Sequence, residues 1–233
     1  MLGQIKQLGK MIVITLLIAA GMPVSLSMAQ SLQGTHTVVL DAGHGGNDRG
    51  VKISDKYYEK DFTLDIVSII KKELEKSGNI RPHLTRSSDK DLSVSERIKI
   101  ISSSRPAIYV GIHVNAGHSK DSSGYEIYFP GFPSVPAGQV NSQEILKDMA
   151  QNKYLNESIK FAQLIQRNID SVFPRKSRGI RNAPLVIVEE LTVPAVIVEI
   201  GFSTNHEDRK KLMDENVRRS LAHALSQSIR EYF

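Results

Sequence analysis

Two histidines and two glutamates set the chemistry open to this chain. His44 lies in LDAGHGG, Glu59 opens a helical segment, His113 lies in VGIHVNA and Glu199 in AVIVEIGF. Two imidazoles and one carboxylate are a hydrolytic zinc set, with water as the fourth ligand. A second glutamate beside that water is suited to act as general base. If the four side chains meet, the expected chemistry is hydrolysis with one zinc ion per chain.

Taken singly, each residue also has an ordinary explanation. His44 sits among Gly43, Gly45 and Gly46, where the backbone can turn tightly beside a ligand, so core packing explains it poorly. Glu59 in a first helical turn is equally good capping electrostatics. His113 ends an apolar run and fits a satisfied core histidine. Glu199 follows Val-Ile-Val, and a buried carboxylate there needs a metal or a cation, for which Arg86 or Arg181 would serve. Three more polar residues are candidates for binding substrate or supporting a ligand. Asp41 can hydrogen-bond a ligand imidazole or merely start a turn. Arg86 can take a carboxylate in a two-point contact or form a structural ion pair. Asn115 can touch substrate or cap a turn.

These residues need elements to bring them together. From Thr37 onward, short apolar runs alternate with helical periodicity, the pattern of an α/β domain. Strands are expected at 37–41, 80–85, 107–113, 124–129, 185–188 and 195–200. Helices are expected at 59–76, with Gly78 past the end, and from the Ser93–Glu96 capping box to Pro106. Further helices are expected at 156–172, at 206–213 capped by Asn205, and at 217–232. Residues 130–153 read as irregular, with a short helix at 143–150. Parallel strands would put His44, His113 and Glu199 at one sheet edge, where ligands collect.

The ends and the composition bound the rest. Lys6 and Lys10 precede the ten-residue apolar run MIVITLLIAA, and Ser27-Met28-Ala29 offers a cleavage site. Residues 1–29 therefore read as a secretory signal peptide, too short in its apolar core to span a bilayer. Residues 30–233 read as one catalytic domain, with no stable membrane span in the mature form. Losing Lys6 and Lys10 reduces the formal charge of +5 by two, leaving a mildly basic body that suits an anionic partner. With no cysteine, an exported chain must rely on its core alone. No nucleic-acid motif is present, and tryptophan for stacking on sugars is absent.

In order along the chain come LDAGHGGNDRG, the Glu59 helix, LTR at 84–86, VGIHVNA with GYEIYF, and PAVIVEIGFSTNHED at 194–208. This succession resembles the zinc-dependent N-acetylmuramoyl-L-alanine amidases of bacterial cell-wall turnover, over residues 36–233. The resemblance implies a single α/β domain with a mixed, mostly parallel sheet of about six strands flanked by helices. It implies His44, Glu59 and His113 as zinc ligands and Glu199 as the catalytic residue. It further implies hydrolysis of the amide between the lactyl group of N-acetylmuramic acid and L-alanine of the stem peptide, so the substrate is peptidoglycan. In some members a helix near residues 131–153 covers the metal until an activating protein moves it. A protein activator is therefore an open partner, and this stretch a regulatory or flexible insert. Two rival readings are a zinc peptidase acting within the stem peptide and a non-catalytic peptidoglycan-binding module. Export to the periplasm is the expected location.

Overall fold

The computed structural model describes residues 34–131, 142–174 and 176–233. The expected signal peptide lies outside them. β1 (His36–Ala42) leads through a hairpin, β2 (Lys52–Ser54) and β3 (Tyr57–Tyr58), into α1 (Glu59–Leu74). There follow β4 (Ile80–Leu84), α2 (Val94–Ser104), β5 (Ile108–Asn115), β6 (Tyr125–Pro130) and α3 (Ser142–Ile169). The chain closes with β7 (Ser177–Ala183), α4 (Val186–Glu189), β8 (Ala195–Phe202), α5 (His206–Met213) and α6 (Glu215–Tyr232).

Six strands form one sheet in the order β4-β1-β5-β8-β6-β7. The first four run parallel, β6 is antiparallel to β8, and β7 is parallel to β6. The strands alternate their side chains between two covered faces. Val38, Leu40, Val110 and Val198 pack on one face with Phe62 and Ile66 of α1, Phe161 and Ile165 of α3 and Leu225 of α6. Val39, Tyr109 and Ile197 pack on the other with Ile101 of α2 and Val188 of α4. Both faces being buried explains why these strands read as unbroken apolar runs. β4 and β5 flank β1 on opposite sides, so the carboxyl end of β1 is a point where the winding reverses and a cleft opens.

Several expected elements differ. The count of six strands holds, but its membership does not. Residues 185–188 begin the short helix α4, while the sixth strand is β7, whose polar sequence SRGIRNA carries no apolar alternation. An edge strand can be polar because only one neighbour and one face constrain it. The hairpin β2–β3 also escaped sequence reading, being only three and two residues long. The helix expected at 156–172 begins at Ser142 and absorbs the short helix expected at 143–150. Residues 132–141, part of the anticipated insert, lie outside the described residues. The Ser93–Glu96 capping box and the Asn205 cap form as expected.

Candidate metal centre

Glu59 is the hub. The β2–β3 hairpin brings the Val51 carbonyl to the Glu59 N–H at 2.9 Å, fixing where α1 starts. The Glu59 side chain then turns inward and is buried. Its Oε2 accepts from the Val51 N–H (3.0 Å) and its Oε1 from the Val114 N–H (2.9 Å). Oε1 also lies 3.0 Å from His44 Nε2 and 3.1 Å from His113 Nδ1. Burial alone would raise this carboxyl, but the two histidines overcome it and hold Glu59 below the ordinary glutamate range.

His44 reaches this point because it adopts a left-handed backbone, φ 61°, in the loop after β1. The Gly45 N–H donates to the Asp48 carbonyl (2.8 Å), closing a tight turn. His44 Nδ1 donates to Asp48 Oδ2 at 2.8 Å, which leaves Nε2 facing Glu59. Burial works to lower His44, yet Glu59 and Asp48 raise it to about 9. His113 comes from β5, two residues before the strand ends. Burial opposes its protonation too, and Glu59 and Glu199 outweigh that, so it is raised.

The pocket accepts these groups only because two neighbours lack side chains. A Cβ on Gly43 would stand 2.4 Å from His113 Cε1, and one on Gly50 would stand 2.5 Å from Glu59 Oε2. One donor atom from each of His44, Glu59 and His113 lies within 4.8 Å of the others. Two imidazole nitrogens and a carboxylate oxygen in that space fit zinc. Among the described residues this is the only such group of three.

Glu199 stands beside the cluster. It pairs with His113 across β5 and β8, so the two side chains share a sheet face. Its carboxylate enters no hydrogen bond or ion pair among the described residues, and burial pushes it up to about 7 against the opposing charge of His113. Neither Arg86 nor Arg181, the cations a purely structural Glu199 would need, is paired with it among the described residues.

The supporting residues differ from expectation. Asp41 makes no bond to an imidazole. Its buried carboxylate accepts from Thr85 (2.5 Å), Tyr109 (2.7 Å) and Arg97. Arg97 in turn donates to the His44 carbonyl at 2.7 Å, so Asp41 supports His44 through the backbone. Arg86 is also buried and has no free face for substrate. Its guanidinium donates to the carbonyls of Ala42 (3.0 Å), Gly43 (2.9 Å) and Lys60 (2.8 Å), tying the loop after β1 to the start of α1. Asn115 donates to Glu126 Oε2 at 2.9 Å. Glu126 itself was passed over in the sequence. It pairs with Glu199 across β6 and β8, and a charged residue amid the buried apolar run of β6 was the available signal. Asp48 was missed as well, although it lies four residues after His44 in the same glycine loop.

A family model described as N-acetylmuramoyl-L-alanine amidase matches residues 38–231. The chain belongs to this amidase family. The amidase is 30% identical over 206 residues to the uncharacterized protein YqiI of Bacillus subtilis, covering 88% of each chain. The catalytic domain of CwlV, an N-acetylmuramoyl-L-alanine amidase from Bacillus (Paenibacillus) polymyxa, superposes with a TM-score of 0.71 at 30% identity. That match covers 85% of this chain and 98% of CwlV. The CwlD amidase of Clostridioides difficile, solved in complex with the GerS lipoprotein, gives 0.68 at 25% identity over 85% and 98% of the two chains. The six-stranded α/β domain is therefore the amidase catalytic fold.

Proposed function

We propose that this amidase is a zinc hydrolase in which His44, Glu59 and His113 hold the ion and Glu199 moves the proton. The convergence of the three donors, with Glu199 in register beside His113, carries the reading. The bond cut is the amide between the lactyl group of N-acetylmuramic acid and L-alanine of the stem peptide. When bound, zinc supplies Lewis-acid activation of water and of the scissile carbonyl.

The chain's own groups do the rest. Asp48 keeps the His44 proton on Nδ1 and leaves Nε2 as the donor atom. The Val51 and Val114 N–H groups fix both oxygens of Glu59. Glu199 takes a proton from the attacking water and later gives it to the departing alanine nitrogen. A carboxyl without hydrogen-bond partners among the described residues, raised towards neutrality by burial, is suited to both transfers. Glu199→Gln keeps size and packing but cannot accept the proton. It should retain zinc, by metal analysis, and lose about 10²–10⁴-fold in turnover of a soluble muropeptide. Near-normal turnover would remove Glu199 from this role. Mass spectrometry of wild-type products should find free stem peptides beginning with L-alanine; cuts inside the stem would instead mark a peptidase.

The polymer substrate lies outside the cytoplasmic membrane. Export through the leader at residues 1–29 and action in the periplasm belong to the same proposal. A lipoprotein partner on CwlD supports looking for a protein activator of this enzyme as well.

A further inference from the structure

Across the sheet from the metal centre runs a row of ionisable side chains. His113 of β5 neighbours Glu199 of β8, and Glu199 neighbours Glu126 of β6. The next strand, β7, is the sheet edge. There Tyr125 pairs with Ser177 and Ile127 with Ile180, so β7 carries one residue more than β6 over the same span. This is a β-bulge, a device that re-aims side chains. Gly179 lies inside it at φ +105°, with open space where a Cβ would be; the backbone angle, not crowding, calls for glycine.

The bulge brings Arg178 and Arg181 onto one carboxylate, although three positions apart on a regular strand they would face opposite ways. Arg178 Nε donates to Glu126 Oε1 at 2.8 Å, and the Arg178 guanidinium lies over the Phe202 ring at 5.0 Å. Glu126 Oε2 is filled by the Tyr128 hydroxyl (2.6 Å) and Asn115 (2.9 Å). Arg181 is left at 3.7 Å from Glu126 and, among the described residues, makes one hydrogen bond, to the Arg178 carbonyl at 3.0 Å. Its side chain is 51% exposed. Two guanidiniums thus share one carboxylate that already has its partners, and most of the five N–H donors of Arg181 have no partner among the described residues.

We propose that Arg181, aimed by the β7 bulge and braced by Glu126 and Arg178, binds a carboxylate of the stem peptide and so selects anionic over amidated wall. This rests on the amidase reading and adds to it where the peptide lies. Two strand spacings of about 4.8 Å separate β8 from β7, roughly the reach of three extended residues. The carboxylate therefore belongs to the first three residues of the stem. The arginine expected in this role from the sequence, Arg86, is walled in by carbonyls, whereas Arg181 is open.

The test uses two muropeptides, identical except that the carboxylates of the first three stem residues are free in one and amidated in the other. The wild type should favour the free form by about 10–100-fold in kcat/KM, the worth of a hydrogen-bonded charge contact. Arg181→Gln should raise KM for the free form with kcat little changed, leave the amidated form alone, and so erase the preference; Arg181→Lys should restore part of it. An undiminished preference in Arg181→Gln, or equal slowing of both forms, overturns the proposal. Binding by calorimetry in the Glu199→Gln background reads the contact without the reaction. A preference there that Arg181→Gln abolishes supports the subsite even if wild-type products do not begin with L-alanine, a result that would sink only the amidase reading. Equal affinity for both forms overturns the subsite.

Discussion

His44 is gripped from two sides, by Asp48 on Nδ1 and by Glu59 next to Nε2. The first contact fixes the tautomer, and the second marks where the ion would sit. Asp48→Asn keeps the volume but offers a neutral amide that can turn its NH₂ toward the ring and disturb the proton's position. Loss of such a partner lowers metal affinity about 10–100-fold. Competition with a chromophoric chelator should show that drop while the far-ultraviolet circular dichroism stays unchanged. Unaltered affinity would mean that Asp48 shapes only the turn. Glu126 makes the opposite point: its carboxylate is fully engaged, held below the usual range by Tyr128 and Arg178 against burial. It acts as an anchor for neighbouring arginines rather than as an acid or base.

At the scale of elements, the site depends on joints between segments far apart in the chain. Arg97 of α2 meets Asp41 of β1 and holds the carbonyls of Ala42 and His44. Arg86, after β4, pins the same loop to α1. Both arginines are buried, and among the described residues Asp41 has no second ion-pair partner. Arg97→Leu would leave the Asp41 charge uncompensated in the core, a change that costs about 3–5 kcal/mol. Urea unfolding should show a lower midpoint with an unchanged slope. The loosened loop should also bind zinc more weakly. A midpoint within error of wild type would show that Asp41 is relieved by protonation or water instead. Glu199 and His113 need no such joint, because adjacent parallel strands place them side by side.

For the molecule as a whole, metal binding, protonation and stability are linked. In the metal-free protein, against the lowering by burial, Glu59 and Asp48 raise His44 to about 9 from the 6.5 of an unconstrained chain. Below pH 6.5 both states hold the proton and the stabilising pairing with Glu59 and Asp48 is complete. Between 6.5 and 9 the folded state holds more protons than the unfolded one, so stability falls as pH rises. The thermal midpoint of metal-free protein should therefore decline across that window. Zinc requires the neutral ring and so should bind more tightly as pH climbs through it. At one fixed zinc concentration, the stabilisation is about 2.7 kcal/mol where zinc is a hundredfold above Kd and about 4.1 kcal/mol where Kd has tightened tenfold, so the gap between the zinc-loaded and chelated midpoints should widen from pH 6.5 to 9. A gap that narrows would contradict the assignment of His44 as a ligand.

What the amino-acid order determined by itself was whatever rests on local pattern. The buried runs of β1, β5 and β8 announced themselves because both sheet faces are covered. The caps at Ser93 and Asn205 are local hydrogen bonds that a few residues suffice to specify. His44, His113 and Glu199 stood out through motifs whose glycines and apolar neighbours are unusual around charge, whereas Glu59, beside Lys60 and Asp61, was marked only by the resemblance to the amidase family. Only the folded chain decided what those groups touch. Arg86 and Asp41 turned out to be braces, and β7 became a strand through pairing with β6 rather than through its own polar sequence. Glu126, Arg178 and Arg181 met through a bulge that exists only once β6 and β7 are aligned. Partners of a buried charge are chosen by strand order and register, which are relations between distant segments and leave no periodic mark in any one of them.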